Sequence, residues 1–263
     1  MQTNNTVKPE KCALKSAHGW NIPVDYNRIE DPRMILLCLH GFGGDKGSSV
    51  IEKLRERLGE KGILVISFDW PQHGESGAPD CSLTAERCLD DLQTVLNWLT
   101  RGRELPVACF ATSFGGYLAT LYRNAHPEVF SELILRSPAL KAGKVICGIT
   151  PADGPERIAR GESVGLGKSQ DIIVGREFYD SLLANDAYTP APPHPENMMI
   201  MQGNADEIVC PEDTRLYAEK NGIRLVMFEG TDHFYKKDGE PERIVAETEG
   251  FLLRPGRSPR SSS

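Results

Sequence analysis

The chain has 263 residues, 40% hydrophobic and 25% charged, with a net charge of −7. This is enough for one large α/β domain with a real core, and the acidic balance excludes a basic nucleic-acid surface. No apolar run approaches the length of a membrane span, and the first residues, Met1-Gln2-Thr3-Asn4, carry no apolar signal core, so a cytoplasmic protein is expected. Seven cysteines without C-x-x-C spacing read as reduced thiols rather than as a disulfide or metal framework.

Residues 10–27 alternate loosely around His18-Gly19 and predict an antiparallel hairpin at a sheet edge. Met34–Leu39 is a solid apolar run, hence a buried strand, and it ends in His40-Gly41-Phe42-Gly43-Gly44. A glycine-rich turn there can aim backbone N–H groups at an anion. Val50, Ile51, Leu54 and Leu58 share one helical face. Ile63–Phe68 is the next strand. Leu89 to Leu99 marks a helix that Thr84 can cap.

The apolar run Pro106–Phe110 then leads into Ala111-Thr112-Ser113-Phe114-Gly115-Gly116. A strand, a tight turn and small residues that let a helix start at once would expose the Ser113 hydroxyl above the C-terminal edge of a sheet. The usual pattern at such an elbow is G-x-S-x-G, with Ala111 here replacing the first glycine. Glu132–Ser137, Asn197–Gln202 and Arg224–Phe228 read as further strands, the last two leading to Gly203-Asn204-Ala205-Asp206 and Gly230-Thr231-Asp232-His233. Strand–helix alternation implies a parallel sheet, and Ser113, Asp206 and His233 each fall just past a strand end, where ligands bind in open α/β sheets.

A serine hydroxyl needs a base, and imidazole suits that role; His233 is the candidate. The base needs a carboxylate to fix its tautomer. Asp206 is the choice over Glu207, on the opposite side of an extended turn, and over Asp232, which adjoins the base too closely to reach its far nitrogen. Backbone N–H groups of Phe42 and Phe114 would face the oxyanion. No metal or organic cofactor is needed for this chemistry. His40 would support the glycine turn or line the pocket.

With Asp69-Trp70-Pro71-Gln72-His73-Gly74-Glu75-Ser76 similar to D-x-x-G-H-G-x-S, five motifs stand in register, and the chain resembles the α/β-hydrolase family, of the serine esterase type. Feruloyl (cinnamoyl) esterases and serine aminopeptidase-like hydrolases look most similar. The resemblance implies an α/β-hydrolase fold: a mostly parallel central sheet, helices on both faces and a small lid insertion. It makes His73 structural, Ser113–Asp206–His233 a catalytic triad, and the rhythm-breaking stretch at about 138–195 a lid over Ser113. Phe42, Phe114 and Tyr179 could make a pocket that accepts aromatic groups. One domain over residues 1–253 is expected, with a disordered tail at 254–263. The function implied is cleavage of small acyl, aryl or hydroxycinnamoyl esters through an acyl-serine. The alternatives are an aminopeptidase or amidase, which would call for paired lid glutamates not seen here, and a non-enzymatic ligand receptor on the same fold. The expected partner is a small-molecule ester; oligomeric state is not legible.

Overall fold

A computed structural model of the chain describes residues 8–168 and 171–255. In chain order the elements are β1 (Glu10–Lys15), β2 (Asn21–Tyr26), β3 (Met34–Leu39), α1 (Ser49–Gly59), β4 (Ile63–Phe68), α2 (Ala85–Thr100), β5 (Val107–Thr112), α3 (Phe114–Ala125) and β6 (Leu133–Arg136). They continue with α4 (Ala142–Ile149), α5 (Gly154–Ala159), β7 (Val164–Leu166), β8 (Ile172–Val174), α6 (Arg176–Ala184), β9 (Met198–Gly203), α7 (Pro211–Asn221), β10 (Arg224–Phe228) and α8 (Glu240–Leu252).

Eight strands form one sheet in the order β1-β2-β4-β3-β5-β6-β9-β10. The hairpin β1–β2 is antiparallel and joins β4 antiparallel; from β4 to β10 all pairing is parallel. The central strands β3, β4 and β5 are buried at every position because helices cover both faces. Alternation divides their side chains. Ile35, Leu37, Leu39, Cys109 and Leu135 pack with α2 and α3, while Leu36, Cys38, Phe110, Ile134 and Met201 pack with α1 and α8. The Thr84 hydroxyl accepts from Arg87 N–H at 3.2 Å and caps α2, as its position before the apolar stripe implied, an interaction worth about 1 kcal/mol.

Between β6 and β9 the chain leaves the sheet. The excursion holds α4, α5, the small hairpin β7–β8 and α6. Within it the sequence alone marks a helix only near Phe178–Leu183, where α6 forms. Helix α8 was not anticipated either, although Ile244, Val245, Thr248, Phe251 and Leu252 bury one face at helical spacing. The cysteines are all free, and Cys38 and Cys109 lie buried in β3 and β5. Among the described residues no helix is long and apolar enough to cross a membrane. The tail expected at 254–263 lies, from residue 256 onward, outside the described residues.

Candidate active site

Ser113 occupies the single residue between β5 and α3 with φ 50° and ψ −114°. A non-glycine residue in that region costs about 1–3 kcal/mol, so the surroundings must hold it there. They do so through backbone bonds: Ser113 N–H donates to the Arg136 carbonyl at 3.0 Å, and its own carbonyl accepts from Tyr117 and Ala139 N–H. The sharp turn also requires Gly115. A Cβ at that position would come within 2.5 Å of the His40 carbonyl oxygen, so only glycine lets α3 start this close to the end of β3.

The loops after β9 and β10 bring the other two side chains to the same edge. His233 Nε2 lies 3.1 Å from Ser113 Oγ, and His233 Nδ1 lies 2.8 and 3.1 Å from the two Asp206 oxygens. With Asp206 ionised, this network assigns the proton to Nδ1 and leaves Nε2 free to accept the serine proton. Burial would raise the Asp206 carboxyl. The hydrogen bond and charge of His233 and the Val209 N–H outweigh it and hold the carboxyl below its ordinary value. Ile208 N–H and Gln202 Nε2 complete its shell. Asp232 instead braces the histidine loop, accepting from Phe234 and Tyr235 N–H, and Glu207 lines a separate hollow beside α4.

The turn after β3 wraps around Ser113. Phe42 N–H donates to no acceptor among the described residues, and Phe114 opens α3, where first-turn N–H groups have no intrahelical partner. His40 Nδ1 donates to the Gly41 carbonyl at 2.8 Å, while His40 Nε2 accepts from Trp70 N–H at 3.2 Å. The bond from Trp70 needs a neutral ring, since a protonated Nε2 cannot accept, and burial pushes the His40 pKa down to about 4. Beneath this turn, Asp69 accepts from Lys46 N–H, Lys46 Nζ and Glu75 N–H at 2.8–2.9 Å. Gly74, at φ +52°, passes so close that a Cβ there would sit 2.4 Å from the Asp69 carboxyl. His73 is buried in that loop with its ring against Phe42. A cavity of about 950 Å³ opens over Ser113 and His233, walled on one side by Ala142, Val145, Ile146 and Ile149 of α4.

A family model described as serine aminopeptidase, S33, matches residues 30–160, the stretch that holds the glycine turn, the Asp69 loop and the Ser113 elbow. The chain has the α/β-hydrolase fold. A monoacylglycerol lipase of Mycolicibacterium smegmatis is 27% identical over 252 residues, 85% of this chain and 89% of that protein. A monoglyceride lipase homolog of Monkeypox virus is 23% identical over 253 residues, 86% of this chain and 91% of its own. Among solved structures, Est1E of Butyrivibrio proteoclasticus with ferulic acid bound superposes with a TM-score of 0.73 at 19% identity, covering 92% of this chain and 98% of that one.

Within this α/β-hydrolase frame the sequence-predicted residues Ser113, Asp206 and His233 come together, and Phe42 and Phe114 flank the serine. One expectation needs correction. Tyr179 does not line the cavity; its hydroxyl bonds Thr150 in a neighbouring hollow. The further aromatics that line the cavity are Phe234 and Tyr235, while Phe178, the neighbour of Tyr179, is buried behind Phe42 and Phe114 with ring centroids 6.0 and 6.2 Å from theirs. Phe178 and Tyr179 both lie on α6, and only the rotation of that helix, invisible in a sequence, decides which one turns inward. Sequence reasoning also passed over Arg136, which lines the cavity from the end of β6.

Proposed function

We propose that this chain cleaves carboxylic esters through an acyl-Ser113 intermediate. The observation that carries the reading is the unbroken hydrogen-bond chain from Ser113 Oγ through His233 to Asp206, all three buried at one sheet edge. Ser113 Oγ attacks the ester carbonyl as His233 Nε2 takes its proton, and Asp206 stabilises the imidazolium. Phe42 and Phe114 N–H groups hold the oxyanion, each worth about 3 kcal/mol. His233 then protonates the departing alkoxide, and the same groups activate water against the acyl-enzyme.

The segment from α4 to α6 serves as the lid, its α4 wall presenting an apolar surface to the substrate. Ester cleavage also suits the lipases and the ferulate-binding esterase that the chain resembles. An aminopeptidase needs a carboxylate to hold a free ammonium group, and among the described residues no Asp or Glu lines this cavity. Ser113→Ala is expected to abolish p-nitrophenyl ester turnover and fluorophosphonate labelling while the circular-dichroism spectrum stays native. Residual turnover above the enzyme-free rate in that variant would refute Ser113 as nucleophile.

A further inference from the structure

The charge of the active-site cavity is opposite to that of the molecule. The chain carries 37 acidic and 30 basic residues, yet the cavity is lined by Arg136, Lys168 and Lys236 and, among the described residues, by no carboxylate. Arg136 is the unusual member. It ends β6 directly opposite Thr112 in the β5–β6 register, one residue before Ser113, whose N–H its own carbonyl accepts. Alternation puts Arg136 and Thr112 on the face that carries Phe110 and Ile134, away from α2 and α3. There the cavity wall comes from Ser48 and Ser49 at the start of α1 and from Pro241 and Ile244 of α8. The cavity is therefore apolar beneath α4 and cationic at this corner.

The Arg136 guanidinium lies 5.1 Å from the centroid of the Tyr235 ring, and its Nε is sealed from solvent without a hydrogen-bond partner. Among the described residues its fork makes no hydrogen bond and no ion pair. The buried arginines of this chain serve as struts, unlike half-buried Arg136: Arg123 donates to the Pro193 and His194 carbonyls, and Arg55 to the Ser67 hydroxyl. Asp206 is the nearby carboxylate, but its oxygens are already taken by His233, Gln202, Ile208 and Val209. Burial pulls the Arg136 pKa down to about 10 against the opposing pull of Tyr235 and Asp206, so the group stays charged at neutral pH. A half-buried cation with no counter-charge is costly, and a planar fork lining a cavity matches a carboxylate with two parallel hydrogen bonds.

We propose that the substrate is an ester bearing a second, ionised carboxylate, and that Arg136 is the receptor for that group. The proposal rests on the reading of Ser113 as nucleophile and adds the substrate class. Lys168 and Lys236 supply the approach. Both are exposed and flank the rim residue Phe234, their ammonium groups 4.7 and 5.4 Å from its ring centroid. Exposed cations at a cleft mouth steer an anion inward.

The test compares matched esters. p-Nitrophenyl hydrogen adipate against p-nitrophenyl hexanoate places the carboxylate on the acyl side; 4-carboxyphenyl butyrate against 4-carbamoylphenyl butyrate places it on the alcohol side. At least one pair is expected to favour the carboxylate in kcat/KM by about tenfold or more, the size of a charge-assisted hydrogen bond. Arg136→Gln should bring that ratio down to about one, and Arg136→Lys should restore part of it. The responding pair reports which side of the ester carries the charge. No preference in either pair, or a preference that survives in Arg136→Gln, overturns the proposal. If Arg136→Gln does not fold, the wild-type ratios and the Lys variant decide. Failure of the parent reading looks different: no ester is turned over, the hexanoate included, and no fluorophosphonate label is taken up. In that event calorimetry with monomethyl adipate decides alone: about tenfold weaker binding by Arg136→Gln supports the receptor, and equal binding removes it.

Discussion

His40 touches none of the reacting atoms, yet it sets where one of the proposed oxyanion donors points. The Gly41 carbonyl and the Phe42 N–H belong to one rigid peptide plane and face opposite ways. Anchoring that carbonyl with His40 Nδ1–H at 2.8 Å, and with Gly44 N–H at 3.1 Å, therefore fixes the direction of the Phe42 N–H. The imidazole is held in turn: Trp70 N–H donates to its Nε2, and Trp70 Nε1–H donates to the His40 carbonyl at 3.0 Å. In His40→Ala, Gly44 alone restrains the peptide. The expected result is a kcat lower by about 10–100-fold with KM nearly unchanged, since loss of a whole oxyanion donor costs about 100–1000-fold. Measured per site titrated with fluorophosphonate, an unchanged kcat would reduce His40 to a packing residue. The sequence reading left His40 as loop support or pocket lining, and the structure shows it doing both, because a histidine between a buried strand and a glycine turn has few other options. Arg136 escaped that reading for the converse reason: a charged residue closing a short strand looks like an ordinary solvent-facing end.

Helix α6 shows what a single element of the excursion contributes. Its Ser181 hydroxyl accepts the Ala85 N–H at the start of α2, Asn185 Nδ2 donates to Glu86, and Tyr117 of α3 donates to the Asn185 carbonyl. These bonds fix α6 against the sheet-covering helices and press Phe178 onto the Phe42–Phe114 pair, whose rings meet edge-on at 5.8 Å. Phe178→Ala should cost about 3–5 kcal/mol of unfolding free energy, as expected for a fully buried phenylalanine, and should lower kcat by loosening both oxyanion donors. Urea unfolding followed by ester kinetics checks both; a loss under about 1 kcal/mol with kcat intact would mean that α6 is a passive cover. The sheet and helices α1, α2 and α3 were legible because the buried strands are bounded apolar runs, α1 and α2 show regular stripes, and small residues after Ser113 mark the start of α3. The site was legible because its three side chains follow such strands. The excursion was not, since β7 and β8 have three residues each, too few for alternation to register, and α5 has six. Gln72 is a related case. It stands where glycine is common in the resembling motif and adopts φ 62°, and its side chain accepts the Ile173 N–H of β8, tying the Asp69 loop to the excursion.

Acid stability of the whole molecule follows from two neutral rings in its interior. His40 and His73 are 2% and 3% exposed, with ring centroids 5.3 Å apart. His73 Nδ1 donates to the Pro71 carbonyl, and its Nε2 has no partner, so protonation would bury an unpaired charge beside Phe42. Burial drives His73 down to about 3, helped by His40, and drives His40 down to about 4. In the unfolded chain both titrate near 6.5. Below that value the unfolded state binds protons that the folded state refuses, so stability falls with pH by up to about 1.4 kcal/mol per unit for each ring. The fall ends near pH 4 for His40 and near pH 3 for His73. The depressed Asp206 carboxyl adds to the loss only at lower pH, as it falls through its folded pKa. Asp25 and Asp91, whose carboxyls burial raises, oppose the fall as they take up protons in the folded state first. Unfolding free energies from urea titrations at pH 7, 6, 5 and 4.5 should therefore decline steeply below pH 6.5. His73→Phe keeps a flat ring against Phe42 and removes one of the two refused protons, so its decline should be about half as steep, even if the lost bond to Pro71 lowers stability by about 1 kcal/mol at pH 7. A wild-type stability that is flat from pH 6.5 to 4.5, or a His73→Phe slope equal to the wild-type slope, would show that the buried imidazoles do not control the acid limit of this fold.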